Sequence, residues 1–451
     1  MLENIFSAKQ IRRDAESLGI WGKDWTNGFN VDPAAVVFPE SNEQVQELVK
    51  CAIAEELKLV PSGGRTGLSG GAVAGDREVV VSFDRMQQIL EFNADDRLVR
   101  CQAGVVTQQL QEFAEQQGMF YPVDFASSGS SQLGGNAATN AGGIKVIRYG
   151  LTRDWVAGMR VVSGRGDLLS CNAGLVKNAT GYDLRHLFIG SEGTLGLICE
   201  LDMRLAPAPA PQTVMVLGVP QVIDLLNVLR AFNQRLTLSA FEFFSQLALD
   251  KVRAHRDLQA PLAEAVPFYA LLEFDEPLLE RASDAFEHCV SEGWVVDGVV
   301  SQSQAQAQAL WGLREGISES IAPYTPYKND LSVCINQVPA FLEEVDAYVA
   351  QSYPDFEVCW YGHIGDGNLH LNILRPEDMD VATFMATGHA MSPNIFALVQ
   401  ARQGSISAEH GVGLLKRDFL NFSRSDAEIE MMRGVKQLFD PHNVMNPGKL
   451  L

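Results

Sequence analysis

Two histidines, His363 and His370, stand within the segment WYGHIGDGNLHLNI at 360–373, in a chain that has only eight. Past Gly367 the pattern alternates, so His370 and Asn372 share one face of a strand while Leu369, Leu371 and Ile373 share the other. A straight strand would put His363 on the opposite face from His370. The Gly-Asp-Gly turn at 365–367 allows it to fold back beside its neighbour. A carboxylate and a third imidazole follow in SAEHGVG at 407–413, as Glu409 and His410 between small residues. Two imidazoles and a carboxylate with an open position make a donor set for a catalytic zinc or similar divalent ion. The other reading is a hydrogen-bonded structural pair of histidines and an exposed Glu-His pair in a loop. In WGLREGIS at 311–318, Arg314 and Ser318 are four apart and share a helix face, and Lys328 follows in YKNDLS at 327–332. An arginine can grip a carboxylate with two parallel N–H bonds and a lysine adds a point charge, although most such pairs are only solvated.

Such groups need elements to hold them. Ser41 to Gln44 has the capping-box pattern ahead of Val45, Leu48, Val49 and Ala52 at helical spacing, which predicts a helix. Strands are predicted over 57–60, 79–83, 98–101 and 197–201, each beside glycine-rich sequence. Pro207, Pro209 and Pro211 form a stiff segment that predicts a domain boundary. Beyond it, strands at 214–217, 268–274 and 294–300 alternate with helices, one near 225–232 and one over 278–292. This pattern suits helices packed on an antiparallel sheet. The fold class is therefore α+β, with two α+β subdomains over 1–205, an antiparallel-sheet substrate (cap) domain over 206–400, and a helical segment over 401–451 that returns to the first.

Three glycine-rich blocks lie in the first of these regions: PSGGRTGLSGG at 61–71, SQLGGNAATNAGG at 131–143 and GSEGTLG at 190–196. Glycine lets backbone N–H groups turn toward an anion without a Cβ in the way, and three costly blocks in one domain argue for a bound ligand. Their spacing fits neither the dinucleotide G-x-G-x-x-G nor the P-loop. The blocks resemble the FAD-binding segments of the vanillyl-alcohol-oxidase-like flavoproteins, also called the PCMH type, and the resemblance runs to NPGKL at 446–450. It implies FAD contacts at Pro61, Ser62, Gly63, Gly64, Arg65, Thr66, Gly67 and Leu68 of the first block. The second segment would contribute Pro122, Leu133, Gly134, Gly135, Ala138, Thr139 and Gly143. Glu192, Gly193, Gly196 and Ile198 come from the third, and Asn446 from the C-terminus. Members that bind flavin covalently carry His where Arg65 stands, so dissociable FAD is expected.

The motifs H-x-G-D-G-N-x-H and E-H-G-x-G resemble those of the D-2-hydroxyglutarate dehydrogenase branch, which also contains D-lactate dehydrogenases and glycolate oxidase subunits. The resemblance implies His363, His370 and Glu409 as metal ligands, zinc being expected. It implies His410 as catalytic base and substrate contact, and Arg314, Ser318, Lys328 and Asn372 as further substrate contacts. Ser318 departs from the threonine of that branch. The implied reaction moves hydride from C2 of a D-2-hydroxy acid to flavin N5 while a base takes the hydroxyl proton. D-2-Hydroxyglutarate is the first choice, with D-lactate, D-malate and glycolate as alternatives.

Net charge is −21, which disfavours nucleic acid and anionic membranes and makes the few local cations informative. No apolar run is long enough to span a bilayer, and no signal-peptide stretch opens the chain. Seven scattered cysteines without a C-x-x-C pair read as reduced, small core residues. A cytoplasmic protein is expected, with a homodimer as a candidate assembly, and the family resemblance implies an electron-transfer flavoprotein or a quinone as electron acceptor.

Overall fold

The computed structural model describes residues 1–451 and divides the chain into two compact units. The first comprises 1–143, 150–208 and 409–451, and the second comprises 144–149 and 209–408.

The first unit holds two sheets. In the four-stranded one the order is Ile11–Arg12, Ala35–Val37, Val79–Ser82, Leu59–Ser62, the last three strands being parallel. Helix Asn42–Ala54 joins two of them and buries Val45, Leu48, Val49 and Ala52, the stripe predicted from spacing. Only half of the capping box forms. The Ser41 hydroxyl accepts from the Gln44 amide, but the Gln44 side chain turns to the Glu40 amide and to Gln10. The predicted strand at 57–60 is shifted to Leu59–Ser62, because Leu57 completes the end of the preceding helix through its bond to Ala52 O. The five-stranded sheet is antiparallel, in the order Ile89–Asn93, Leu98–Gln102, Gly196–Arg204, Val156–Ser163, Leu168–Ala173. One apolar core, including Leu59, Val99, Leu133, Val161 and Leu201, runs beneath both sheets.

The C-terminus closes this unit. Past helix Asp426–Phe439, the Asp440 carboxylate accepts from the Val444 and Met445 amides at 2.9 and 2.8 Å. Lys436 pairs with Asp440 and donates to Thr194 O and Met445 O, both at 2.7 Å. The chain then bonds the open edge of strand Leu59–Ser62 through Leu59 N to Val444 O and Asn446 N to Leu59 O. An edge that would otherwise expose unpaired backbone groups is thereby covered.

The second unit is built on a seven-stranded antiparallel sheet. Its order is Asp297–Val300, Gln212–Val219, Phe268–Asp275, Leu238–Ser245, Glu357–His363, Asn368–Leu374, Tyr327–Ser332. Strand 294–300 is shorter than predicted, because Trp294 N closes the preceding helical turn on Cys289 O. The helix expected through 311–318 breaks at Gly316 into Gln304–Glu315 and Ile317–Ser320. Residues 144–149 anchor to strand Phe268–Asp275 by ion pairs, Lys145 with Glu273 at 3.3 Å and Arg148 with both oxygens of Asp275 at 2.7 and 2.9 Å. Gly143 precedes them at φ +118°, and a Cβ there would meet Asp124 O at 2.0 Å. Five cysteines are buried, but Cys334 is exposed and Cys51 half-buried, correcting the expectation that all seven are core residues. Cys334 sits at a loop-to-helix entry, where no apolar face is being covered.

Replacing Asp440 with Ala leaves two buried amides and a half-buried ammonium without their acceptor. We expect a loss of about 3 kcal/mol or more in urea unfolding of the full chain. A loss below about 1 kcal/mol would mean that apolar packing of Phe439, Val444 and Met445 holds the terminus instead.

Candidate functional site

The glycine blocks of the first unit line an open cleft. Pro61, Gly63, Gly64, Arg65, Thr66 and Gly67 line it from the first block. Gly134, Gly135, Ala138 and Thr139 line it from helix Leu133–Thr139, and Glu192, Gly193, Gly196 and Ile198 from the third block. His410 is also in the wall.

The remaining expected contacts stand off it. On its strand the Ser62 hydroxyl donates to Trp21 O, Leu68 is exposed, and Leu133 is in the core. Pro122 and Gly143 are not in the wall either, and Asn446 acts at one remove by donating to Gly71 O and Glu192 O at 2.9 and 2.8 Å.

Close backbone approach explains the glycines. A Cβ on Gly64 would fall 2.2 Å from Ser130 O, whereas one on Gly135 would meet nothing within 4 Å. Arg65 takes the left-handed conformation at φ +60°, and its guanidinium donates to Gly63 O and pairs with Asp84 at 3.3 Å. Asp84 also accepts from Trp21 Nε1 and Gln132 Nε2, both at 2.7 Å.

Glu192 holds the wall opposite. Its buried carboxylate accepts from the Val412 and Gly413 amides at 2.7 and 2.8 Å. Burial pushes its pKa up, against the two amides and the nearby Lys416 charge. Ser69 adds bonds to His410 O and Gly411 O. The Glu409 carboxylate and the His410 ring lie 3.9 Å apart.

Sequence reading gave no role to Asp24, and it named Gln132 only as part of a motif. Both line the cleft, and Asp24 Oδ2 and Gln132 Oε1 are buried acceptors without a hydrogen-bond partner. A ligand with N–H and O–H donors and a phosphate end fits this combination of orphan acceptors and glycine amides.

In the second unit, cross-strand register lines up the polar residues. Lys328 is opposite Asn372, Asp330 opposite His370, and Tyr361 opposite His370. The Gly-Asp-Gly turn does bring His363 and His370 together, with ring centroids 5.2 Å apart. His370 Nδ1 is 3.7 Å from Asp330, and His363 Nδ1 is 2.8 Å from Glu242. Glu242 is 1% exposed and also pairs with Arg314 at 2.8 Å. Arg314 lies over the Tyr361 ring at 4.7 Å; its buried Nε and Nη2, and the Glu242 Oε2 facing Nη2, make no hydrogen bond, so the pair is held by charge.

Lys328 donates to Ser318 at 3.1 Å. The residue keeps contact with solvent, but partial burial of its charge pulls its pKa below the usual lysine range. Burial pushes the Tyr361 pKa up, against the nearby Arg314 charge and the neighbouring Ser318 and Asn372 side chains. Glu242 and Tyr361 escaped the sequence reading. The available signal for Glu242 was a lone acid in the apolar strand LSAFEFFS at 238–245.

Comparison with known proteins agrees with this layout. The model for an FAD binding domain matches 33–172, and that for FAD linked oxidases, C-terminal domain, matches 208–450. The chain is 59% identical over its whole length to a D-2-hydroxyglutarate dehydrogenase of Stutzerimonas stutzeri (strain A1501), covering 97% of that protein. It is 35% identical to the mitochondrial D-2-hydroxyglutarate dehydrogenase of Bos taurus, again over the whole chain and covering 82% of that protein. Among solved structures, p-cresol methylhydroxylase with substrate bound superposes at a TM-score of 0.77 and 14% identity, over 100% of this chain and 95% of that one. Alkyldihydroxyacetonephosphate synthase gives 0.76 at 18% identity, over 99% and 84%. The shared fold bears out the α+β, PCMH-type expectation.

Gly135 separates folding from cofactor binding. Alanine there adds about 1 kcal/mol of helix propensity and meets no protein atom, while its methyl enters the cleft wall. Gly135→Ala should leave apoprotein melting unchanged or higher while weakening FAD binding about tenfold or more, read by flavin fluorescence titration. Unaltered FAD affinity would remove helix Leu133–Thr139 from the cofactor site.

Proposed function

The chain belongs to the FAD-linked oxidases, and we propose that it oxidises D-2-hydroxyglutarate to 2-oxoglutarate with the aid of a divalent metal. FAD, held by the glycine blocks, supplies the acceptor for the C2 hydride at N5, and a zinc-like ion supplies a Lewis acid that makes the hydroxyl more acidic. His363, His370 and Glu409 are the residues that would hold the ion. A carboxylate on one ring nitrogen orients an imidazole so that the other nitrogen can bind a metal, and the Glu242 carboxylate 2.8 Å from His363 Nδ1 supports this assignment. His410, in the wall of the cleft, takes the hydroxyl proton; imidazole is a suitable acceptor near neutral pH.

Substrate carboxylates go to Arg314 and Lys328, with Ser318 and Asn372 as hydrogen-bonding neighbours. The observation that carries the choice of a dicarboxylate is Lys328, a crowded ammonium bonded to a neutral hydroxyl and to no carboxylate. The relatives named above as D-2-hydroxyglutarate dehydrogenases support the same choice.

Two finer points belong to the same proposal. Arg65 in place of histidine supports non-covalent FAD, so acid precipitation should release the flavin into the supernatant; flavin retained by the pellet would refute this. The family resemblance supports an electron-transfer flavoprotein or a quinone as electron acceptor over nicotinamide, for which the chain has no fingerprint.

Lys328→Ala tests the substrate. It should lower kcat/KM for D-2-hydroxyglutarate by about 1.5–3 kcal/mol, that is roughly ten- to a hundredfold. D-Lactate, with no second carboxylate, should be much less affected. Equal losses on both substrates would assign Lys328 to the shared carboxylate or to the chemistry. The depressed pKa gives a pH signature as well. Capture that needs the ammonium is intact at low pH and is lost as pH rises through the lowered lysine value, so kcat/KM for the dicarboxylate should fall on an alkaline limb that Lys328→Ala abolishes. Removal of metal by a chelator should lower turnover, and a divalent ion should restore it. Full activity in a verified metal-free preparation would exclude metal assistance.

A further inference from the structure

The second unit places one buried carboxylate between two residues that the proposed reaction uses for different purposes. Glu242 projects from strand Leu238–Ser245, with Oε1 2.8 Å from His363 Nδ1 and Oε2 2.8 Å from Arg314. It is 1% exposed and Arg314 is 7% exposed, so neither charge is screened by water. Arg314 stacks over Tyr361, and Tyr361 in turn touches the His370 ring at 5.0 Å between centroids. The guanidinium is therefore held from two sides, by the Glu242 charge and by the Tyr361 ring, yet neither its buried Nε nor its Nη2 makes a hydrogen bond within the protein. A buried donor left in this state points to a ligand that completes it.

We infer that Glu242 is a shared positioning residue, orienting His363 as a metal ligand through one oxygen and Arg314 as a carboxylate anchor through the other. Accepting the Nδ1 proton selects the tautomer in which Nε2 is the donor atom toward a metal. Holding one edge of the guanidinium prevents Arg314 from closing a full bidentate pair within the protein and directs Nε to the substrate. This rests on the reading of the site as a metal-assisted hydroxy-acid dehydrogenase. It adds that metal affinity and carboxylate affinity depend on the same side chain, which itself touches neither.

Glu242→Gln tests this in the FAD-loaded enzyme. The neutral amide removes the negative charge that faces both His363 and Arg314, and its single oxygen can accept from only one of them, so both contacts weaken. Zinc affinity, measured by competition with a chromophoric chelator, should fall about tenfold or more. Independently, 2-oxoglutarate binding to the metal-free enzyme, read as a perturbation of the flavin spectrum, should weaken about tenfold. Both losses together are expected. A folded variant that loses neither, or only one, overturns the shared role. If Glu242→Gln fails to retain FAD or a cooperative melt, Glu242→Gln with Arg314→Met removes both halves of the buried pair. That double variant should still bind zinc more weakly, and wild-type zinc affinity in it would equally overturn the inference. Should the wild type take up no metal at all, the proposed metal assistance fails, a result distinct from failure of the Glu242 assignment because the metal-free 2-oxoglutarate arm remains decisive for Arg314.

Discussion

The Glu192 carboxylate on the amides of Val412 and Gly413 is the contact on which the first unit's cleft depends. Glycine-rich loops are entropically expensive to order, so contacts that tie the three blocks to one another matter. Glu192 supplies such a tie. Its backbone amide bonds Ala138 O in the second block, its carbonyl accepts from Asn446, and its side chain holds the loop that carries His410. Asn446 extends the same link to Gly71 O in the first block. A carboxylate kept in so dry a place has its pKa pushed up, and two amide donors with Lys416 nearby are what oppose that burial cost. The residue is also at φ +52°, a conformation that a side chain tolerates only where its surroundings over-determine it.

The second unit solves a different problem, which is to gather polar groups from separate segments without losing a core. An antiparallel sheet does this through its pleat. Lys328, Asp330, His370, Asn372, Tyr361 and His363 fall on one face by register, while Leu331, Leu369, Leu371 and Ile373 alternate with them and are buried on the other. A one-residue slip of strand Asn368–Leu374 would exchange the two sets. The tight turn at 364–367, with Gly367 at φ +86°, pins that register, and a Cβ on Gly367 would meet Val333 O at 2.2 Å. The turn glycine thus fixes which residues can act together.

What could be read from the residues follows from how local each constraint is. Glycine blocks, the alternation after Gly367 and the helical stripe from Val45 to Ala52 are encoded in short segments, and most predicted strands and helices appear within a few residues of their predicted places. The contacts that cross long stretches of chain were not legible. Glu242 is 121 residues from His363, and Asp84 is 48 residues from Gln132. Nothing in the local sequence of either acid announces a distant partner. The passage of 144–149 into the second unit was equally hidden, since IKVIRY has the look of an ordinary connecting turn until Lys145 and Arg148 meet Glu273 and Asp275. The family resemblance supplied the residue roles, and the structure supplied the neighbours that hold those residues.

Charge constrains the whole molecule. With a net charge of −21, the protein as a whole repels a dianion, so an attractive site must be made locally. Most buried or half-buried cations cannot contribute, because acids already neutralise them: Arg148 by Asp275, Lys145 by Glu273, Lys436 by Asp440, Lys449 by Glu78. Arg314 is partly spent in the same way on Glu242. Lys328 differs, since its partner is the Ser318 hydroxyl, which donates no negative charge. Crowding lowers its pKa, and a neighbouring carboxylate of the protein would have raised it again. The ammonium is therefore less stable without an anion than with one, and an incoming carboxylate restores the proton's affinity as it binds. Substrate charge and Lys328 protonation are linked, which favours an acid with a second carboxylate over one that has only the group beside C2.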